Sequence, residues 1–70
     1  MVRLRLRVKE IAQEKNITMS ALQRAADINM KTIQAIYKDP YHETYYSVLY
    51  KISKVLNLPI TDLIEVEEEQ

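Results

Sequence analysis

Seventy residues without a single glycine must turn every corner with residues that carry a Cβ. Helices commonly close on a left-handed residue, usually glycine. Asparagine and aspartate are the best tolerated replacements, because their short polar side chains bond locally. Asn16, Asp27 and Asn57 each fall where a helical apolar rhythm stops, so these three residues predict three helix ends.

The rhythm changes at both ends of the chain. Val2-Arg3-Leu4-Arg5-Leu6-Arg7-Val8 alternates apolar and basic residues, the period of a strand with one buried face, and predicts a strand over 2–7. Ile64-Glu65-Val66-Glu67 repeats that period and predicts a second strand over 64–67. Paired antiparallel, the two would bury Leu4, Leu6, Ile64 and Val66 on one side and set arginines against glutamates on the other. A two-stranded ribbon is marginal alone, so it is expected to pack on the helices or extend across a dimer. The closing Glu67-Glu68-Glu69-Gln70 reads as a solvated tail.

Between these ends the apolar spacing is helical. Val8, Ile11, Ala12 and Lys15 share a face of a first helix that stops at Asn16. Thr18 suits the N-cap of a second, with Leu22, Ala25 and Ala26 inward. Asn29 can cap a third, with Ile33, Ile36 and Tyr37 inward, ended by Asp39-Pro40 because the residue before proline disfavours helix. A fourth runs from about Tyr46 to Leu56, placing Val48, Leu49, Ile52, Val55 and Leu56 on its apolar side, and closes at Asn57. After Pro59, Thr61 caps a short fifth helix through Leu63 or Ile64. The expectation is a mostly α, five-helix bundle whose N-terminal strand is available to pair with a C-terminal one.

Length and composition bound the function. Residues 1–70 suffice for one small domain, and 47% hydrophobic with 29% charged residues is the balance of a folded globule. No cysteine is present, which excludes disulfides and thiolate chemistry. No apolar run approaches the roughly 20 residues of a membrane span, and the arginine-rich start lacks the hydrophobic stretch of a signal peptide, so a cytoplasmic, membrane-free protein is expected. With one histidine, no glycine-rich phosphate loop and no helical pair of acids, nothing supports an enzyme or a cofactor. Asp39, His42 and Glu43 read as an acidic loop rather than a metal site.

The zero net charge conceals an asymmetry. Through Lys38 there are eight basic and three acidic residues, a net of +5; from Asp39 onward two basic and seven acidic residues give −5. That distribution permits a basic face for nucleic acid. For Arg3, Arg5 and Arg7 the plainer expectation is pairing with the acidic end of the chain.

The segment Thr18 to Lys38 is the functional signal: two short amphipathic helices joined at Asp27-Ile28-Asn29, the arrangement that presents a helix to a DNA major groove. Together with Ile17-Thr18, Leu22, Thr32-Ile33, Ile36, and Leu49-Tyr50-Lys51-Ile52-Ser53-Lys54-Val55-Leu56-Asn57-Leu58-Pro59 before Thr61-Asp62-Leu63-Ile64, it resembles the Cro/C1-type (XRE-like) helix-turn-helix domain over roughly Val8 to Ile64. Four positions depart from that family's pattern. Met19 stands where glutamine usually anchors a phosphate, Gln23 where alanine allows close helix approach, Asp27 where glycine turns the chain, and Tyr37 where glutamate is frequent. Gln23 requires either a shifted helix crossing or a hydrogen bond within the turn.

The resemblance implies a sequence-specific, double-stranded-DNA-binding transcriptional regulator with its third helix in the major groove, working as a homodimer on half-sites about one DNA turn apart. By spacing, Asn29, Met30, Lys31, Gln34 and Ala35 lie opposite Ile33, Ile36 and Tyr37. Gln34 could bridge adenine, Lys31 could reach guanine acceptors, and Met30 offers only apolar contact. Thr18, Thr32, Lys38 and the amides opening the second helix are the candidate phosphate anchors. His42 and Tyr45 are weaker candidates. The alternative is a protein-interaction or antitoxin-like module on the same fold. Five tyrosines between Tyr37 and Tyr50, with Tyr46 and Tyr50 one helical turn apart, would suit such an interface.

Overall fold

The structure is a computed structural model that describes residues 2–68. The order is β1 (Val2–Leu6), α1 (Val8–Glu14), α2 (Met19–Ala26), α3 (Met30–Lys38), α4 (Tyr46–Leu56), a 3-10 turn (Ile60–Leu63) and β2 (Ile64–Glu68). There are four α-helices among the described residues, not five. The expected fifth is the 3-10 turn: Pro59 sits before it in extended conformation, and the Asp62 amide bonds the Pro59 carbonyl three residues back. Four residues before a strand leave no length for an α-helical ladder.

The glycine-free corners are built as the sequence indicates. Asn16, Asp27 and Asn57 have φ of 58°, 55° and 58°. At Asp27 and Asn57 the helix C-terminus closes on the left-handed residue, whose amide bonds carbonyls of the last turn.

One core joins all the elements. Val8, Leu22, Ile33, Ile52, Leu56 and Leu63 are fully buried, with Leu6, Ile11, Ala12, Ile28, Ile36 and Leu49 close behind. Each such valine, leucine or isoleucine side chain contributes roughly 1.5–3 kcal/mol relative to exposure. Ala25, expected to face inward, is exposed, as is Lys15, expected on the same face as the buried Val8, Ile11 and Ala12. Leu22 and Ala26 are the buried residues of α2, and Met19 packs beside them. Tyr37 packs against the core, but its hydroxyl is buried with no partner among the described residues. Burial raises its pKa above the usual value near 10.

The ribbon pairs antiparallel in the register Val2↔Glu68, Arg3↔Glu67, Leu4↔Val66, Arg5↔Glu65 and Leu6↔Ile64. Glu67 and Glu68 are therefore strand residues, not tail; Glu69 and Gln70 lie outside the described residues. The polar face carries the expected charge pairing. Arg5 binds Glu10 at 2.8 Å and Glu65 at 3.7 Å, and the Glu10 hydrogen bond raises the guanidinium pKa further. The Arg3 guanidinium lies 3.8 Å from the centre of the Tyr41 ring, whose hydroxyl donates to Glu67 at 2.6 Å. The apolar face departs from expectation. Leu6 and Ile64 join the core or its margin, while Leu4 and Val66 remain 55% and 61% exposed. The helices support only the base of the ribbon, where Leu6 donates to the Pro40 carbonyl and Arg7 to the Leu63 carbonyl.

Two stability measurements follow. Asn57→Ala places a Cβ without a polar group in a left-handed corner and should cost about 1 kcal/mol in urea unfolding, with Asn57→Gly close to the parent. Tyr37→Phe removes an unpaired buried hydroxyl and should gain about 1 kcal/mol. Because the folded pKa of Tyr37 is raised, its contribution is complete below the unfolded value near 10 and fades as pH rises through the folded value. The phenylalanine variant should lose less stability over that alkaline window.

Candidate nucleic-acid interface

The interface begins with two helix N-termini that the sequence caps in the same way. Thr18 is extended (φ −73°, ψ 160°) and its hydroxyl oxygen accepts from the Ala21 amide at 3.1 Å. Asn29 is extended (φ −60°, ψ 133°) and its side-chain oxygen accepts from the Lys31 amide at 2.8 Å. Each cap fixes where its helix starts, and the amides of each first turn form the positive end of the helix dipole. Both helices have eight or more residues.

The link between α2 and α3 is short and tied. The Ile28 amide bonds the Gln23 carbonyl at 3.2 Å, and the Gln23 side-chain amide returns a 2.7 Å bond to the Ile28 carbonyl. This is the hydrogen bond within the turn that glutamine at this position required. Ile28 itself is 7% exposed, so the turn is pinned from inside as well.

On α3 the inward and outward sides separate cleanly. Ile33 and Ile36 are buried, whereas Lys31, Gln34 and Lys38 are exposed. Positions i, i+3 and i+7 share one helix face, so these three form a single stripe along the outer side. Among the described residues neither lysine is in an ion pair. Such a stripe, together with two capped N-termini, can attract polyanions and offer amide and ammonium donors to them.

The sequence pattern of the Cro/C1-type HTH DNA-binding domain matches residues 7–69. The chain belongs to that family. A protein of Archaeoglobus fulgidus named an uncharacterized HTH-type transcriptional regulator is 30% identical over 67 residues, covering 96% of this chain and 93% of the relative. As a Cro/C1-type domain the chain falls in a DNA-binding class, which is not a class of enzymes. Among the described residues no helix is long and apolar enough to cross a membrane.

Within this Cro/C1-type domain the expected DNA-facing residues form two groups. Thr18 and Asn29 are exposed caps, with Lys31, Gln34 and Lys38 exposed on the stripe. Met30 and Thr32 are half-buried on its flanks. Met19, at the family's glutamine position, packs against the core. Ser20, exposed in the first turn of α2, is a phosphate candidate that sequence reasoning passed over. Its signal was an unpaired polar residue two positions past a cap. His42 and Tyr45 are exposed on the connection into α4, beyond the stripe.

The five tyrosines do not form one patch. Tyr37 is core-packed, Tyr41 clamps the ribbon, and Tyr50 lies 5.5 Å from the Lys54 ammonium. Tyr45 and Tyr46 are 80% and 87% exposed.

The two roles assigned to Thr18 can be separated. Thr18→Asp keeps an N-cap acceptor but adds a negative charge where phosphate would sit, so melting should stay near the parent while DNA affinity drops. Thr18→Ala should instead cost about 1 kcal/mol of stability. Unchanged DNA affinity in Thr18→Asp would remove Thr18 from the interface.

Proposed function

We propose that the chain is a cytoplasmic, sequence-specific DNA-binding transcriptional regulator that reads duplex DNA with α3 in the major groove. The observation carrying this reading is the exposed stripe Lys31, Gln34, Lys38 on the side of α3 opposite the buried Ile33 and Ile36. Lys31 and Gln34 supply base-edge contacts, guanine acceptors for the ammonium and adenine for the amide. Met30 provides apolar contact at the groove wall. Thr18, Asn29 and Thr32, with the first-turn amides, hold phosphates at the near end of the groove, and Lys38 holds one at the far end. The regulatory role is supported by the name of the Archaeoglobus relative.

A second reading keeps the fold as a protein-interaction module. It is favoured by the half-buried, chemically plain Met30 and Ala35 flanking the stripe and by the exposed Tyr45 and Tyr46. Salt separates the two readings. Phosphate-driven binding weakens linearly in log affinity as log salt rises. Retardation of genomic DNA fragments should therefore be strong at low salt and steeply lost as salt increases. Lys38→Ala should make the slope shallower by about 1, and Gln34→Ala should cost about 1–3 kcal/mol at preferred fragments while relaxing preference. No retardation at low salt would overturn the DNA reading in favour of the protein module.

A further inference from the structure

β1 has two edges, and the hydrogen-bond parity of the ribbon decides which main-chain groups each edge presents. The Arg7 amide bonds the Leu63 carbonyl, which continues the register at Arg5↔Glu65 and Arg3↔Glu67. In an antiparallel pair, hydrogen-bonded positions alternate with positions whose amide and carbonyl point away from the partner. Val2, Leu4 and Leu6 are therefore the outward set on β1. The Leu6 amide shows that direction in use, donating to the Pro40 carbonyl at 2.7 Å on the edge away from β2. Leu4, one step further out, makes no such bond among the described residues.

An open groove of about 590 Å³ borders this edge. Val2 and Leu4 line it together with residues 41–44 and Tyr46, and the buried Leu6 and Leu49 lie deeper in it. Val2, Leu4 and Tyr46 are 58%, 55% and 87% exposed. An extended segment laid along the edge would meet the main chain of Leu4 and turn every second side chain toward the groove.

We propose that the outer edge of β1 captures, as a third strand, an extended segment of another protein in which apolar and acidic residues alternate. The ribbon already contains the template for that chemistry. β2, Ile64-Glu65-Val66-Glu67-Glu68, is such an alternation, and it occupies the inner edge of the same strand. The outer edge offers the same side chains: Arg3 and Arg5 on the polar face, Leu4 on the apolar one, and no acid within β1. Arg3 is exposed, and the Arg5 side chain keeps 28% of its surface. Acidic residues set beside these arginines are attracted, whereas basic ones are repelled.

A second copy fits the edge less well. β1 against β1 sets arginine beside arginine. β2 of another copy arrives with Glu65 and Glu67 already engaged by Arg5 and Tyr41 of its own chain, and its addition would repeat without closing. Pro40 limits the pairing, because it holds Leu6 and leaves Leu4 and Val2 to the incoming strand. So short a ladder sets the affinity on the order of 0.1–1 mM. The proposal depends on neither reading of α3.

NMR titration of the full chain with a short synthetic peptide alternating valine and glutamate tests it. The expected result is a saturating shift of the Leu4 amide with slowed hydrogen exchange there. A counterpart alternating valine and lysine should bind at least tenfold more weakly. Leu4→Pro removes an outward donor and spares the β1–β2 bonds, so circular dichroism and melting should stay near the parent. Peptide binding, followed then at Thr44 and Tyr46, should weaken at least tenfold, while Val66→Pro on the outer edge of β2 should leave it unchanged. The same subtraction is made on the parent chain with a peptide N-methylated at its valines, which stand opposite Leu4 in an antiparallel pairing and should then fail to bind. No shift at Leu4 with millimolar peptide would overturn the proposal. So would equal binding of the lysine or N-methylated peptide, or shifts centred on Val66. Light scattering of the chain alone that grows with concentration, and is abolished by Leu4→Pro, would assign the edge to β2 of other copies and likewise overturn it.

Discussion

The short, doubly bonded turn between α2 and α3 fixes the direction in which α3 points. Asp27 takes the left-handed conformation that glycine would ordinarily supply, at φ 55°. The Gln23 side chain then spans the corner to the Ile28 carbonyl, and Ile28 inserts beneath it. Leu22 and Ile33, both fully buried, lock the helices to the rest of the core. If the corner loosened, the stripe Lys31, Gln34, Lys38 would still be a polar helix face, but its angle to the Thr18 cap would no longer be set. The bulky amide at position 23 is therefore a compensation: what is lost in close helix approach is returned as a hydrogen bond that crosses the turn.

The ribbon divides the same sequence alternation into two outcomes. On its polar face, Arg5 reaches both Glu10 of α1 and Glu65 of β2, while Tyr41 bridges Arg3 and Glu67. These contacts lie near solvent, so each is a modest stabiliser, and their value is in fixing the strand register. On its apolar face only the base is covered. A small domain without disulfides has few helices to spare, and the outer half of the strands borders an open groove beside the start of α4 instead of a packed helix.

Much of this was legible in the residues. The left-handed corners at Asn16, Asp27 and Asn57 followed from the missing glycine, the caps at Thr18 and Asn29 from their position before an apolar rhythm, and the β1–β2 pairing from two matching alternations. Other features depend on distances that spacing does not encode. Period two states that Leu4 and Leu6 share a face, but not that the core ends between them. Thr61-Asp62-Leu63 looks like a capped helix, although the strand that follows leaves room only for a 3-10 turn. The tyrosines are close in sequence, yet Tyr37, Tyr41 and Tyr50 go to three different neighbours. In the candidate site, the stripe and both caps were legible from helical spacing. The core-facing position of Met19 and the exposure of Ser20 depend on how α2 rotates against its neighbours.

The central claim is that the outer face of α3 and the first turn of α2 together meet the DNA. Amide chemical shifts of the full chain, followed by NMR while a short genomic duplex is added at low salt, test it most directly. The account predicts the largest changes at Thr18 to Ala21 and Met30 to Gln34, with Lys38 also responding and the outer ribbon residues Leu4 and Val66 unmoved by the first additions. Changes confined to the ribbon and to Tyr45 and Tyr46, with α3 silent, would contradict it.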